Sequence, residues 1–183
     1  MNLKMPVFFD TDCLCSFSWV NRLDILVKLF ENNICIPSMV FKEIEKLKYT
    51  KSIFVYQNIK REIEAGTFKL VKLDPLDVTY SEFLELVDPN KERPVGYGEA
   101  ATIVLAKMCD GTLASNNLKD VLPHIKPDHP PLITTETILY LAYQKKIISF
   151  QEGQQILDEM KLRKRKLSTY SFFELLSKYE KAD

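Results

Sequence analysis

The chain has 183 residues, of which 46% are hydrophobic, and this is enough for one domain with a sizeable core. Its 25 basic and 25 acidic side chains leave a net charge of zero, which argues against disorder and against binding nucleic acid through an overall cationic surface. No apolar run approaches the ~18 residues that a membrane helix needs. The four cysteines fit neither a disulfide framework nor a zinc site, so we expect reduced thiols in a cytoplasmic protein without a membrane segment.

The first half of the chain alternates short apolar runs with helical patterns. Three of the runs are predicted strands: 6–9, 34–36 and 67–73. Apolar residues at helical spacing predict four helices: 12–30, 37–47, 52–65 and 75–87. Asp12 is placed to cap the first of these helices, and Gly66 to end the third. This alternation predicts an α/β fold with a mainly parallel sheet.

The second half continues the alternation. Gly96 and Gly98 open an apolar helix that runs to Met108. Further strands are predicted over 112–114 and 132–133, and further helices over 119–122 and 135–146. Two more helices begin with capping boxes, in which a glutamate follows a serine by three residues: Ser149 with Glu152 and Ser171 with Glu174. We therefore predict one α/β domain of about five strands over 1–148 and a helical C-terminal extension over 149–183.

Polar side chains cluster where two predicted strands end, and ligands bind at this edge of an open parallel sheet. The residues after the first strand are Asp10, Thr11 and Asp12, and those after the fourth are Ser115, Asn116 and Asn117. Three further acids lie within helices: Glu43, Glu99 and Asp120. These residues are the candidates for a functional site.

Each acid also has an ordinary structural interpretation. Asp12 is an expected helix cap. Glu43 is spaced to pair with Lys46, and Glu99 favours the positive end of its helix. Asp10 is harder to explain in this way, because an acid that ends a buried strand costs free energy unless something pairs with it. Taken one by one, the residues leave both interpretations open.

The ordered set of short motifs is more specific than any one residue. It consists of four segments: Phe8-Phe9-Asp10-Thr11-Asp12, Pro37-Ser38-Met39-Val40-Phe41-Lys42-Glu43-Ile44, Gly98-Glu99-Ala100-Ala101 and Leu113-Ala114-Ser115-Asn116-Asn117. Over roughly 5–148 this set resembles a PIN-domain ribonuclease, and most of all the toxins of VapBC-type toxin–antitoxin pairs. The resemblance implies a three-layer α/β/α fold, in which acids converge on Mg²⁺ or Mn²⁺ at the edge of a central parallel sheet.

Carried over residue by residue, the resemblance implies that Asp10, Glu43 and Glu99 are the first three metal ligands. The fourth position departs from the family, because Asn117 stands where an aspartate is expected. An amide oxygen can bind a hard cation but brings no charge, and Asp120 is the candidate to substitute. The predicted catalytic residues are Asp10, Glu43, Glu99 and Asp120, with Asn117 as a further ligand and Thr11, Asp12, Ser115 and Asn116 as nearby polar support.

The chemistry of such a site follows from the repulsion between neighbouring carboxylates, which raises their pKa values unless a cation neutralises them. Mg²⁺ or Mn²⁺ suits an oxygen-rich site and lowers the pKa of a bound water for in-line attack on a phosphodiester. The resemblance implies RNA as the substrate and products with a 5′-phosphate and a 3′-hydroxyl. It also implies a small antitoxin protein as a partner, and often a homodimer.

Several side chains outside the acidic set are candidate RNA contacts: Tyr97, Lys161, Arg163, Lys164 and Arg165, with Lys166 completing the basic run. Trp19, like Tyr97, is a candidate to stack a base. The alternative for the basic run is a solvated helix end, and the alternative for Trp19 is a place in the core.

Two other functions fit part of the pattern. Apolar residues followed by Asp10-Thr11-Asp12 also resemble the nucleophile motif of haloacid-dehalogenase-type phosphatases, with Asp10 as nucleophile and Asp12 as acid/base. That class needs a later strand that ends in paired acids, and the candidate pair, Asp158-Glu159, is predicted to lie in the middle of a helix. The other alternative is a PIN-like module that binds RNA or a partner but cuts poorly, because Asn117 weakens the site.

Overall fold

The computed structural model describes residues 3–125, 131–165 and 167–181, and within these ranges one sheet lies between layers of helices. Its strands are β1 (Val7–Phe9), β2 (Ile34–Pro37), β3 (Phe68–Val71), β4 (Thr112–Ala114) and β5 (Leu132–Ile133). Their order across the sheet is β3-β2-β1-β4-β5, and each neighbouring pair is parallel. The predicted α/β fold with a central sheet is confirmed, although β1 and β3 are shorter than their predicted strands.

Alternate side chains of the strands pack on opposite faces of the sheet. Val7 and Phe9 lie in the core on one face, and Phe8 between them lies in the core on the other. Both faces are covered, which explains why the strand sequences are almost continuously apolar. Phe9 pairs with Ala114, so the carboxyl ends of β1 and β4 lie side by side in the centre of the sheet.

The helices occupy the connections between strands and the C-terminal part of the chain. They are α1 (Thr11–Trp19), α2 (Leu23–Phe30), α3 (Ser38–Glu45), α4 (Ile53–Glu64), α5 (Tyr80–Val87), α6 (Tyr97–Met108), α7 (Leu118–Val121), α8 (Thr135–Gln144), α9 (Phe150–Leu162) and α10 (Phe172–Glu180). Short 3₁₀ turns cover Glu31–Asn33, Lys46–Tyr49 and Leu122–His124. Buried residues of α5, α6 and α7 form the core on one face, and those of the other helices form the core on the opposite face. Among the described residues, no helix is both long and apolar enough to cross a membrane.

The prediction of a single helix over 12–30 is wrong, because α1 and α2 are separate helices. Asn21 adopts the left-handed conformation, with φ 54°, and ends α1. The N–H groups of Asn21 and Arg22 donate to the carbonyls of Ser18 and Phe17, which is a Schellman motif. The apolar spacing continues on both sides of this turn, so the hydrophobic pattern hides the break.

Four other helices end with the same two hydrogen bonds and a left-handed residue. These residues are Gly66 after α4, Asp110 after α6, Lys146 after α8 and Lys164 after α9. Among these residues only Gly66 is predicted to end a helix because of its residue type, since glycine adopts this conformation without steric cost. A non-glycine residue in this conformation costs roughly 1 kcal/mol, and the sequence does not mark it.

Two predictions about helix starts are also wrong. Asp10 caps α1 in place of Asp12, since its Oδ1 accepts a hydrogen bond from the Cys13 N–H at 2.7 Å. The helix predicted over 75–87 starts only at Tyr80. Before it, Asp74 and Asp77 side chains accept hydrogen bonds from backbone N–H groups two residues on, at 2.9 and 2.8 Å. These Asx turns offer the backbone an alternative to the helix.

The two helices of the C-terminal extension share the core of the rest of the chain. Their buried residues join the cluster that contains Val7 and Phe9: Ile156, Leu157, Met160, Phe172, Leu175 and Leu176. A side chain at Gly153 would place its Cβ 2.3 Å from the Phe172 ring, so this glycine allows α9 and α10 to pack closely. The domain boundary near residue 148 remains a prediction.

Both predicted serine caps of the extension are present. Ser149 and Glu152 form the full capping box of α9. Ser171 caps α10 by accepting a hydrogen bond from the Glu174 N–H, but the Glu174 carboxylate accepts one from the Tyr170 N–H, one residue before the expected donor.

Candidate active site

Asp10 follows β1 directly and is almost fully buried, with 2% of its surface exposed. While Oδ1 caps α1, the other oxygen, Oδ2, accepts a hydrogen bond from the Ser115 hydroxyl. The Asp10 N–H donates to the Ala114 carbonyl at 2.9 Å, which extends the β1–β4 ladder by one bond. One side chain thus connects the end of β1, the start of α1 and the end of β4.

Glu43 reaches the same region from α3. Its Oε2 accepts a hydrogen bond from the Thr11 hydroxyl, and its Oε1 accepts one from the Gly98 N–H at 3.1 Å. These contacts hold the Glu43 carboxylate in the cleft, and its role as a metal ligand stays a prediction. They also show why residue 98 is a glycine, because a Cβ there would lie 2.8 Å from Glu43 Oε1.

Gly98 therefore contacts a predicted site residue, a role beyond its place at the start of a predicted helix and in the family motif. The signal was present as a glycine in the first turn of a helix that continues with alanines. In such a helix an alanine would be favoured by about 1 kcal/mol, so a glycine there indicates a steric requirement.

The first turn of α6 carries Glu99, and Asn117 connects it to Asp120. The Asn117 amide nitrogen Nδ2 donates to Glu99 Oε1 and to Asp120 Oδ2, both at 2.6 Å. The Asn117 backbone N–H donates to Ser115 Oγ at 3.1 Å. Ser115 in turn binds Asp10, so the loop after β4 connects three of the predicted acids.

These groups line one cleft of about 310 Å³ at the carboxyl edge of the sheet: Asp10, Thr11, Asp12, Glu43, Gly96, Glu99 and Asn117. Asp120 is exposed and reaches this set through Asn117. Asn116 takes another direction, since its amide bonds the N–H and the hydroxyl of Thr135 at 2.9 and 2.8 Å. Asn116 thereby joins the end of β4 to the start of α8.

The electrostatics of the cleft are those of crowded acids. Burial is the main reason why the pKa of Asp10 is raised to about 7, although the hydrogen bonds from Ser115 and Cys13 lower it. Burial also raises the pKa of Glu99, with smaller contributions from the negative charges of Asp120 and Glu43. The ionised cleft is therefore unfavourable in the absence of a positive charge.

The chemistry of the donors fits a hard divalent cation, because carboxylate and amide oxygens are the ligands that Mg²⁺ and Mn²⁺ prefer. The carboxylates are at present satisfied by protein donors. In 3–125, 131–165 and 167–181, no group of three or more His, Cys, Asp or Glu side chains is arranged to hold a metal ion as it stands. Binding a cation would therefore require the acids to exchange some of these hydrogen bonds for metal contacts.

The candidate RNA contacts lie in different surroundings. Tyr97 is 62% exposed at the start of α6, and its ring packs against Phe83 with 6.0 Å between centroids. Lys161 is bound to the Tyr170 carbonyl, and Lys164 is the exposed left-handed residue after α9. Arg163 and Arg165 lie over the ring of Trp19, which is half-buried rather than a full core residue, and Lys166 lies outside the described residues.

The acidic pair that the phosphatase alternative requires does not follow a strand. Asp158 and Glu159 lie on α9, and Asp158 accepts hydrogen bonds from Gln154 of the same helix at 3.0 Å. This position gives the phosphatase alternative no support.

The chain is similar to known proteins in sequence and in fold. A family model described as PIN domain matches residues 6–181. The crystal structure of DNA-bound VapBC from Salmonella typhimurium contains a chain with a TM-score of 0.53 and 14% identity; the match covers 72% of this chain and 98% of that chain. At this identity the similarity shows the fold alone. No curated protein matches the sequence. Because the family model spans nearly the whole sequence, including the cleft and both C-terminal helices, the chain belongs to the PIN-domain family.

Proposed function

We propose that this PIN-domain protein is an endoribonuclease that depends on a divalent metal, with Asp10, Glu43 and Glu99 as the metal ligands. The observation that carries the proposal is the charge of the cleft. Its described lining contains four carboxylates and no cationic side chain. A buried carboxylate such as Asp10 costs free energy unless a positive charge pairs with it, and a divalent cation supplies that charge.

The residues of the chain would position this chemistry from several elements. Ser115 and the start of α1 hold Asp10, while Thr11 and Gly98 hold Glu43. Asn117 holds Glu99 and Asp120 at the other side of the cleft, where its amide is the donor. Bound Mg²⁺ or Mn²⁺ would lower the pKa of a water and stabilise negative charge on the phosphodiester. Asp120 is the acid that we assign to complete the site next to Asn117.

The first test is metal binding, because it does not depend on knowing the RNA. Mn²⁺ is titrated calorimetrically into the full chain and into Asp10→Asn. The proposal expects heat of binding in the wild type and a loss of at least about tenfold in affinity in the variant. Asp24→Asn is the matched control, since Asp24 already pairs with the Arg22 guanidinium at 3.0 Å and should leave Mn²⁺ affinity unchanged.

The second test is cleavage of a labelled single-stranded RNA with Mg²⁺ or Mn²⁺, with EDTA as the metal-free control. We expect cutting that disappears in EDTA and in Asp10→Asn, with a 5′-phosphate on the downstream product. A folded wild type that neither binds metal nor cuts RNA would contradict the proposal.

One observation favours the second candidate function, a PIN-like module that binds RNA without cutting it well. Asn117 donates to two acids and adds no negative charge, so the site has a weaker hold on a second cation. This function predicts that RNA binds the wild type and Asp10→Asn equally and that Mn²⁺ does not change that affinity. RNA cleavage that depends on Mn²⁺ would support the nuclease over the binding module.

We also infer that a small antitoxin protein covers part of this chain, and that the chain pairs with a second copy. The inference is supported by the family and by the fold similarity to a VapBC complex. Co-expression with the product of a neighbouring small reading frame, followed by light scattering on the purified material, tests both points. A monomer that no such product accompanies would contradict them.

A further inference from the structure

The one tryptophan of the chain carries two arginines of the C-terminal extension on its ring. The guanidinium carbon of Arg163 lies 5.6 Å from the centroid of Trp19, and that of Arg165 lies 5.9 Å from it. Both distances are in the range of cation–π attraction. The edge of Trp19 packs against Phe54, with 5.2 Å between ring centroids, so the ring is held in place from α4.

The turn after α9 fixes where the arginines point. Lys164 adopts φ 56°, its N–H donates to the Lys161 carbonyl at 2.8 Å, and the Arg165 N–H donates to the Met160 carbonyl at 3.0 Å. This Schellman motif reverses the chain within two residues of the helix end. Since Met160 is fully buried in the core, the turn is anchored and holds the backbone of both arginines close to Trp19.

Arg165 also reaches the edge of the acidic cleft. Its guanidinium nitrogen Nη1 lies 3.6 Å from Asp12 Oδ1, and Asp12 lines the cleft. The Arg165 side chain is only 22% exposed. Arg165 therefore brings a positive charge to the edge of a cleft whose own carboxylates repel phosphate.

We propose that Arg163, Arg165 and Trp19 form a binding subsite for a nucleotide of single-stranded RNA next to the bond that is cut. In this subsite Arg165 takes a phosphate oxygen in competition with Asp12, and a base stacks on the exposed Arg163 guanidinium plane above the ring. Stacking on arginine planes and aromatic rings is the usual way in which unpaired RNA is bound. The proposal rests on the ribonuclease function and extends it to the C-terminal extension, which would bind substrate as well as complete the core.

The test uses the fluorescence of Trp19 to report RNA binding at the proposed subsite. A short single-stranded RNA is titrated into the full-length Asp10→Asn protein, so that binding is measured without cutting. We expect the tryptophan emission to change with saturation, and the anisotropy of labelled RNA to give the same affinity. Arg165→Gln should weaken binding about tenfold. It should also make the negative slope of log affinity against log salt about 0.7 less steep, as expected for one lost phosphate contact on a single strand.

Two further variants keep the result interpretable. Arg22→Gln is the matched control, because Arg22 has a similar side-chain exposure of 23% and pairs with Asp24 and Glu152 away from the cleft. It should leave the affinity and the salt slope unchanged. Because Arg163 is exposed, Arg163→Gln should leave the fold intact, and it should weaken RNA binding while the ion pair of Arg165 with Asp12 remains.

Asp12→Asn separates direct competition from a general effect of charge. It should strengthen RNA binding severalfold by releasing Arg165, and this gain should be absent in the Arg165→Gln background. Equal affinity and salt slope for Arg165→Gln, Arg22→Gln and the parent protein would overturn the proposal, as would RNA binding that leaves the Trp19 emission unchanged. A wild type that binds RNA through these residues but does not cut it would contradict the nuclease function alone.

Discussion

Two buried carboxylates of this chain have opposite environments. Asp10 is 2% exposed at the end of β1, and Glu136 is 5% exposed in the first turn of α8. Glu136 accepts hydrogen bonds from the backbone and hydroxyl groups of Ser168 and Thr169 and from the Lys178 ammonium, at 2.6 to 3.0 Å. Asp10 has a hydroxyl and one backbone N–H as donors.

The pKa values move in opposite directions as a result. Burial alone would raise the pKa of Glu136, but the hydrogen bonds from Ser168, Lys178 and Thr169 outweigh it and hold that pKa below its usual range. For Asp10 the effect of burial is larger than that of its two hydrogen bonds, so its pKa is raised. A carboxylate with its own cation stabilises the fold, whereas one without a cation weakens the fold until an external cation arrives. The contrast distinguishes Glu136, which the fold satisfies, from Asp10, the acid that we propose to bind a metal.

The largest effect is expected for Glu136→Ala. The substitution leaves two backbone N–H groups and the Lys178 ammonium without their acceptor, so we expect a loss of about 3 kcal/mol in the free energy of unfolding. Urea denaturation of the metal-free protein measures it. Glu180→Ala, at the exposed end of α10, is the control and should cost much less. Equal losses would mean that Glu136 is no structural anchor.

Asp10→Asn should change the free energy of unfolding in the opposite direction. We expect it to stabilise the metal-free protein by about 2 kcal/mol above pH 7. The folded pKa of about 7 exceeds the unfolded value of 3.8, so the folded state binds more protons between them. The contribution of Asp10 to stability therefore falls as the pH rises from about 4 to about 7. Asparagine avoids this penalty and can still cap α1 through its oxygen.

Unfolding in urea and EDTA at about pH 5 and about pH 8 tests this prediction. The gap between Asp10→Asn and the wild type should widen at the higher pH, while Asp24→Asn should show no such widening. If Asp10→Asn were the less stable protein at both pH values, Asp10 would be structural in the same sense as Glu136.

A smaller change, Gly98→Ala, tests whether the cleft is built for the position of Glu43. A methyl group at residue 98 would meet the Glu43 carboxylate at 2.8 Å, whereas one at Gly96 would meet Glu99 at an ordinary 3.7 Å. We expect Gly98→Ala to lower Mn²⁺ affinity and RNA cleavage about tenfold, or about 1.4 kcal/mol, with no loss of folding stability. Gly96→Ala is the matched control with near-normal metal binding. Equal behaviour of the two variants would argue against Glu43 as a ligand.

The smallest effect is expected for Lys178→Gln, which makes the surroundings of Glu136 more like those of Asp10. Because Lys178 is half exposed, the loss should be about 0.5–1 kcal/mol. Glu136 has a lowered pKa, so its contribution is present above the unfolded value of 4.5 and is lost as the pH falls through the folded pKa. The loss in Lys178→Gln should therefore shrink in acid. Lys181→Gln, measured in the same pH series, should show no such trend.

The sequence predicts the sheet well because β1, β2 and β4 are buried on both faces and almost continuously apolar, whereas the edge strand β3 carries the exposed Lys69. The order of the strands also predicts that Asp10, Asp12 and Asn117 lie at one edge of the sheet, since parallel strands bring their carboxyl ends together. Glu43 and Glu99 are expected there from the family resemblance, and Asp120 reaches the cleft through Asn117. The sequence does not reveal that Asp10 both follows β1 and caps α1, because Asp12 lies directly before the helical apolar pattern and is the more obvious capping residue. The break at Asn21 is hidden for a different reason: a left-handed asparagine leaves the hydrophobic period intact.

Glu136 shows the limit of reasoning from local pattern. It lies in the capped first turn of a largely apolar helix, and its partners Ser168 and Lys178 are 32 and 42 residues away along the chain. Its lowered pKa depends on three parts of the chain together: α8, the segment of Ser168 and Thr169, and α10. Gly98 is an intermediate case, since its unusual place in a helix is visible in the sequence but the carboxylate it admits is not.

The position of β1 in the sheet affects how the chain can form during synthesis. β1 pairs with β4, which is synthesised about a hundred residues later, and the buried side chains of Leu175 and Leu176 follow later still. The nascent chain thus keeps its central strand without one neighbour until β4 has been synthesised. The acidic cleft joins residues from Asp10 to Asn117, so it can assemble only after β4 and the loop that follows it have been synthesised.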